Sequence, residues 1–155
     1  IEEAKNQGKS GLVAVVGTKK FHFMSDTKWL LRQGFEINES IPSGFSLISM
    51  NFGSPDASPC FNQSVQSGKC LDTKGIVAYY SNRCPYSEYH VKESLVETAR
   101  NRKLPLEAIK LETMEQAQSC PSPATIFSLF LDGEFVTTDI SVCIDSRFDK
   151  IVGDH

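Results

Sequence analysis

A segment that is rich in Ser, Pro and Gly divides this 155-residue chain into two blocks of unequal length. Residues 53–73 contain few large apolar side chains, and such a composition is typical of a linker. Each flanking block must therefore build a hydrophobic core of its own. We predict a first domain over residues 1–52, this linker, and a second domain over residues 74–155.

The composition and charge of the chain exclude two classes of protein. Hydrophobic residues make up 40% of the chain and charged residues 23%, so there is enough apolar surface for a packed core. The formal net charge of −3 argues against a dedicated nucleic-acid-binding protein, which needs a basic surface. No apolar run approaches the roughly 20 residues that span a bilayer. We therefore expect no nucleic-acid partner and no membrane insertion.

The five cysteines indicate a reducing compartment. They are irregularly spaced, and they include no CxxC pair of the kind that holds structural zinc. A secreted protein of this size that relied on disulfides would contain more cysteines. We therefore predict a cytoplasmic protein without a metal site. The cysteines are Cys60, Cys70, Cys84, Cys120 and Cys143.

The first block is predicted to contain helix, strand, helix and strand. It begins with the end of a helix that Gly8 terminates in a left-handed conformation. The second helix has Ser25 or Asp26 as its N-cap. Strands are predicted over the apolar residues 12–16 and over residues 45–52. Because two strands and two helices bury little surface, we expect exposed strand edges, or pairing with another chain or with a missing N-terminal half of the domain.

The second block is predicted to contain strand, helix, strand, short helix, two strands and a final helix. Thr113 and Gln116 have the spacing of a capping box, and Asp132-Gly133 is typical of a tight hairpin turn. This order of elements predicts one mixed β-sheet, so the whole chain is assigned to the α/β (α+β) class. The predicted strands cover residues 75–80, 106–111, 124–131 and 134–138, and the helices cover residues 85–102, a short stretch from 113, and a last segment from Asp139 or Ser141 to 152.

Cys84 occupies the junction between the first strand and the first helix of the second block. The positive end of the helix dipole and the neighbouring Arg83 both favour the thiolate form of a cysteine in this position. The segment Cys84-Pro85-Tyr86-Ser87 resembles the redox loop of the glutaredoxin and thioredoxin superfamily. Ser87 stands at the second cysteine position, so the resemblance is to the one-thiol form. It implies a thioredoxin-like mixed-sheet domain with thiol chemistry at Cys84.

A second segment extends this resemblance. Ser122-Pro123-Ala124 is similar to the cis-proline loop of the same superfamily, which implies that Pro123 faces Cys84. Cys120 precedes Pro123 by three residues. If the loop folds as the resemblance implies, Cys120 is either placed to act as a resolving thiol or is a plain loop cysteine.

The first block resembles the C-terminal half of the GNAT superfamily of N-acetyltransferases. The similarity lies in an initial helix, the strand at residues 11–16, and a short helix that ends in Gly34-Phe35. The resemblance implies acetyl-CoA as cofactor. Val13 and Val15 would line the pantetheine cleft, and Ser25 and Lys28 would contact CoA at the start of the next helix.

Two departures from the GNAT pattern affect the expected activity. The pyrophosphate-binding signature Arg-x-x-Gly-x-Gly does not occur in this sequence, so we expect this chain alone to bind acetyl-CoA weakly or not at all. Many GNAT enzymes have a Tyr as general acid at the position of Leu30, which cannot donate a proton. The acid is then another group, or the CoA thiolate leaves unassisted, or no acetyl group is transferred.

The two blocks together resemble acetyltransferases that carry a YoaP-like C-terminal domain. The first functional hypothesis is therefore the C-terminal portion of a GNAT-type N-acetyltransferase, which acts on a small-molecule or peptide amine. The second is a one-thiol, glutaredoxin-like oxidoreductase centred on Cys84. The third is a non-catalytic module that sets the specificity of an acceptor pocket.

Overall fold

A computed structural model describes residues 1–18, 26–53, 58–70 and 74–153. The chain forms two compact units, Ile1–Asn62 and Gln63–His155. Both units combine helices with a β-sheet, which confirms the predicted α+β class. None of the described helices is both long enough and apolar enough to cross a membrane.

The boundary between the units lies inside the predicted linker, and residues on both sides of it are packed. Phe61 is buried in the first unit, and Val65 and Cys70 are buried in the second. Lys69 forms an isolated β-bridge with Glu134. Part of the predicted linker is therefore packed within the two units.

The first unit contains a three-stranded antiparallel sheet in the order β1-β3-β2. The sequence predicted only two of these strands. The additional strand, β2, is mostly polar and is interrupted by a bulge between Ile37 and Glu39, so it lacks the apolar alternation of a strand. Gly44 has φ of +87° and donates its N–H to Ile41 O at 3.0 Å, which closes the β2–β3 hairpin. The elements are α1 (Glu2–Asn6), β1 (Gly11–Gly17), α2 (Thr27–Arg32), β2 (Glu36–Ile41) and β3 (Phe45–Asn51).

Helix α2 packs on one face of this sheet. Val16, Phe35 and Ile48 are buried there, and Leu30 packs against them. Asp26 caps α2 by accepting a hydrogen bond from Trp29 N at 3.0 Å, which confirms one of the two predicted caps. The other predicted cap, Ser25, lies outside the described residues.

The second unit is a four-stranded mixed sheet in the order β5-β4-β6-β7. Strands β4 and β5 are parallel, and β6 and β7 form an antiparallel hairpin beside β4. Asp132 and Gly133 have φ of 49° and 84°, so the predicted tight turn is confirmed. The elements are α3 (Gln63–Ser67), β4 (Ile76–Tyr80), one continuous helix made of α4 (Ser87–Tyr89), a π-helical segment (His90–Leu95) and α5 (Val96–Arg102), then β5 (Leu106–Lys110), α6 (Met114–Ser119), β6 (Phe127–Leu131), β7 (Glu134–Thr137), a 3₁₀ helix (Ile140–Cys143) and α7 (Asp145–Gly153).

The main core of the second unit lies between one face of the sheet and the long helix with α7. Its buried members include Ala78, Tyr80, Leu95 and Leu129. Side chains alternate along a strand, so Tyr79 lies on the opposite face. There its hydroxyl is 3.4 Å from Cys70 Sγ.

An arginine on α5 joins that helix to α7. Arg102 binds both carboxylate oxygens of Asp149, at 2.7 and 2.8 Å, and also the Asp145 carboxylate. Its guanidinium lies 4.8 Å from the centre of the Phe148 ring. Because Arg102 donates hydrogen bonds to both carboxylates, the pKa values of Asp145 and Asp149 are lowered.

Candidate functional site

The second unit has a cleft of about 490 Å³ at the carboxyl ends of the parallel strands β4 and β5. In open α/β sheets, ligands commonly bind beyond the carboxyl ends of the strands. Residues 81–83 line the cleft directly after β4, and residues 110–113 line it at the end of β5 and just beyond. Thr125 comes from the loop before β6, and Ala117 comes from α6. The lining residues are Ser81, Asn82, Arg83, Lys110, Leu111, Glu112, Thr113, Ala117 and Thr125.

Cys84 lies in the loop between β4 and the long helix, as predicted. Its side chain is half-buried, and it directly follows Arg83, which lines the cleft. Ser87 N donates to Cys84 O at 3.2 Å, so the thiol precedes the first helical turn. Ser87 is completely buried, and its Oγ has no hydrogen-bond partner among the described residues.

Charged side chains on one side of the cleft neutralise each other. Lys110 Nζ lies 3.2 Å from Glu88 Oε1 and 3.6 Å from Glu112 Oε1. Glu88 also pairs with Lys92 at 2.8 Å, and hydrogen bonds from Lys92 and Lys110 lower the pKa of the Glu88 carboxyl. Arg83 forms no ion pair with any residue in the described ranges.

Cys120 is buried in this structure. Burial raises the pKa of its thiol to about 11, although the Ser122 backbone and the Ser128 hydroxyl offset part of this rise. Cys70 lies near enough to raise this pKa further. A thiol that is protonated at neutral pH is a poor nucleophile, so a resolving role for Cys120 requires the loop to open. That role stays a prediction.

The loop around Pro123 differs from the cis-proline loop that the resemblance implies. The described residues contain no cis peptide bond, so the cis form expected at Pro123 is wrong for this structure. The trans form is the intrinsically favoured isomer, and the Ser122 hydroxyl accepts a hydrogen bond from Ala124 N at 3.1 Å across it. Ser81 N donates to Ile126 O at 3.1 Å, so this loop lies beside the start of the Cys84 loop.

Three of the four residues expected to bind acetyl-CoA lie on β1 and α2, and the fourth, Ser25, lies outside the described residues. Val13 is 58% exposed, and Val15 is half-buried. Both lie on β1, which pairs only with β3 among the described strands. Lys28 is exposed in the first turn of α2, and Thr27 Oγ1 ties that turn to Gly17 O at the end of β1, at 2.9 Å.

Leu30 is a packing residue in this structure. It lies against the buried Val16, Phe35 and Ile48, whereas Trp29 beside it is exposed. The residue at the general-acid position of the GNAT resemblance therefore contributes to the core of the first unit. This location explains why an apolar side chain is suited to it.

Comparison with known proteins finds similarity to one family model and to a protein named as an N-acetyltransferase. A family model described as "YoaP-like" matches residues 105–150. The chain is 30% identical over 152 residues to the Bacillus subtilis (strain 168) protein named "Uncharacterized N-acetyltransferase YoaP". This similarity covers 98% of the chain and 59% of the relative's length. Together they support a relationship to an acetyltransferase family. No solved structure matches the chain at a significant level.

The segment matched by the YoaP-like family model includes some of the candidate residues and excludes others. It contains Cys120, Pro123 and the cleft residues Lys110 and Thr125, whereas Cys84 lies before it. Sequence reasoning identified Arg83 and Cys84 but missed the cleft residues that follow β5. Their position after a strand was the feature that could have identified them, because the carboxyl ends of adjacent parallel strands meet at one edge of a sheet.

Proposed function

We propose that this chain is part of an acetyl-CoA-dependent N-acetyltransferase. In this proposal residues 1–52 are the C-terminal part of a GNAT-type domain, and residues 74–155 are an accessory, thioredoxin-like domain. The similarity to a protein named as an N-acetyltransferase, over 98% of the chain, carries the proposal. The β–α–β order followed by a hairpin and a helix supports the thioredoxin-like assignment.

The geometry of β1 suits a pantetheine arm. One edge of β1 pairs with β3, and no described strand pairs with the other edge. Backbone N–H and C=O groups on an unpaired strand edge can hydrogen-bond to the amides of an extended ligand. Val13, whose side chain is 58% exposed on this strand, adds apolar contact. Lys28, which is exposed in the first turn of α2, would meet the charged part of CoA.

The chemistry of the transfer sets the demands on these residues. Bound acetyl-CoA supplies an activated thioester. A backbone N–H of β1 would polarise its carbonyl as the deprotonated amine attacks. Leu30 has no proton to donate, so the CoA thiolate leaves unassisted or takes a proton from another group. The acceptor is a small-molecule or peptide amine.

Two measurements on the protein in its full length test this proposal. Calorimetric titration with acetyl-CoA should show saturable binding, and a thiol-reactive dye should show CoA release that depends on an added amine. Lys28→Gln should weaken acetyl-CoA binding, whereas Lys9→Gln, which changes an exposed lysine before β1, should not. Absence of acetyl-CoA binding would refute the acetyltransferase proposal.

A second candidate function is thiol exchange at Cys84. It is favoured by the half-exposed thiol at the start of a helix, with the buried Ser87 at the second cysteine position of the loop. The Cys84 thiolate would attack a disulfide and release one thiolate, and an external thiol would then resolve the mixed disulfide. Loss of exchange in Cys84→Ser, but not in Cys60→Ser at an exposed control cysteine, would support it. Equal exchange by both variants would refute it.

A further inference from the structure

Two cations among the described residues, Arg83 and Lys110, line the cleft beyond β4 and β5. Lys110 is paired with Glu88 and Glu112, at 3.2 and 3.6 Å. Arg83 lines the same cleft and has no ion-pair partner within the described residues. A guanidinium presents a planar fork of donors that matches a carboxylate, so Arg83 is suited to a carboxylate ligand.

A buried polar group next to Arg83 lacks a partner. Ser81 also lines the cleft, is only 7% exposed, and has an Oγ without a hydrogen-bond partner among the described residues. Buried hydroxyl groups are nearly always hydrogen-bonded, and an exception calls for an explanation such as a ligand or a bound water. A ligand that enters the cleft beside Arg83 would supply such a partner once the Ser81 hydroxyl turns towards the cleft.

The balance of charges selects the type of anion. The charged groups in and beside the cleft are three cations, Arg83, Lys110 and Lys92, and two carboxylates, Glu88 and Glu112. This excess of one positive charge suits a ligand with a single carboxylate better than a polyphosphate. Asn82 and Thr125 add hydrogen-bonding groups, and a volume of about 490 Å³ accommodates an amino acid or a short peptide.

We propose that this cleft binds the carboxylate of an amino acid or short peptide. The Arg83 guanidinium is the main group that binds this carboxylate, and the Ser81 hydroxyl donates a hydrogen bond to it. This binding does not rest on the proposed acetyltransferase function. Neither Cys84 nor acetyl-CoA takes part in this recognition.

The test is an amide-resolved NMR titration of the whole chain with four probes. Alanyl-alanine should shift the amide signals of Asn82, Arg83 and Thr125 as it binds. Alanyl-alanine amide, which lacks the carboxylate, should bind with a dissociation constant at least tenfold higher in the same titration. If free alanine binds as well as the dipeptide, the ligand is an amino acid. If only the dipeptide binds, the ligand is a peptide terminus. Inorganic phosphate that binds as tightly as alanyl-alanine would overturn the proposal.

Matched variants show whether the named residues carry the binding. Arg83→Gln should weaken alanyl-alanine binding about tenfold or more, the effect of losing a charge-assisted pair, and Arg83→Lys should give an intermediate loss. Ser81→Ala should weaken it about threefold. Arg147→Gln changes an exposed arginine on α7 and should leave binding unchanged. Unaltered binding by Arg83→Gln would overturn the proposal. Acetyl-CoA binding is measured separately, so failure of the acetyltransferase proposal would not affect this result.

Discussion

The start of β4 provides the sharpest test of the described fold of the second unit. Gly75 has φ of +91°, and a Cβ built on it would lie 2.5 Å from Pro105 O and 2.9 Å from Pro105 Cβ. The Pro105 carbonyl is held by a hydrogen bond from Ile76 N at 2.8 Å, so it cannot withdraw freely. Asp132 fixes the same site, since its side chain accepts from Gly75 N at 2.8 Å.

These contacts predict the magnitude of the effect of Gly75→Ala. A left-handed conformation costs a residue with Cβ roughly 1–2 kcal/mol. Overpacking against a fixed backbone atom adds about 1–3 kcal/mol. The free energy of unfolding of the second unit should therefore fall by about 2–5 kcal/mol, and its Tm by about 10 °C or more.

The aromatic residues of the chain allow each unit to be followed separately. All four tyrosines lie in the second unit, and the one tryptophan, Trp29, lies in the first. Gly75→Ala should lower the midpoint of the near-UV tyrosine transition in thermal unfolding. The control Gly153→Ala has open space around the added methyl group, so it should change stability by less than about 0.5 kcal/mol. A loss below about 1 kcal/mol in Gly75→Ala would refute the described packing of β4 beside Pro105.

Three further predictions concern the reactivity of the thiols, the stability in acid, and Leu30, which occupies the position of the general acid in the GNAT resemblance. Iodoacetamide should label Cys84 about tenfold faster than Cys143 or more, because burial raises the pKa of the Cys143 thiol to about 12. The labelling rate of each cysteine is measured by mass spectrometry, and equal rates would contradict a reactive Cys84. The carboxyl groups that Arg102 binds on α7 have lowered pKa values, so their contribution to stability is present above the unfolded pKa of about 4 and is lost as the pH falls through their folded pKa values. Urea unfolding of Arg102→Gln at pH 7 and pH 3 should therefore show a smaller loss of stability on acidification than the wild-type chain, and an equal loss would contradict this role. Leu30→Tyr should destabilise the first unit by about 1–3 kcal/mol through overpacking, as measured by Trp29 fluorescence during unfolding. It should not lower the rate of CoA release by the folded full-length protein. A large loss of that rate with intact folding would show that Leu30 has a role in the site.

Short-range patterns in the sequence determined the ends of several elements. The cap at Asp26, the capping box formed by Thr113 and Gln116, and the turn at Asp132-Gly133 are all present as predicted. Cys84 also lies at the predicted junction of strand and helix. Each of these features depends on a hydrogen bond or a backbone angle within a few residues, so a single sequence contains the whole signal.

Contacts between distant segments decided the rest. Strand β2 is polar and bulged, and it is a strand because β3 lies beside it. The pKa of the Cys120 thiol is raised because the thiol is buried near Cys70, which is distant in sequence. The cleft exists because parallel pairing brings the ends of β4 and β5 together, so that Arg83 and Lys110 line one space. The residue types that follow each strand can be read from the chain alone. Which of them meet depends on strand pairing and burial, and these arise from contacts between segments that are far apart in the sequence.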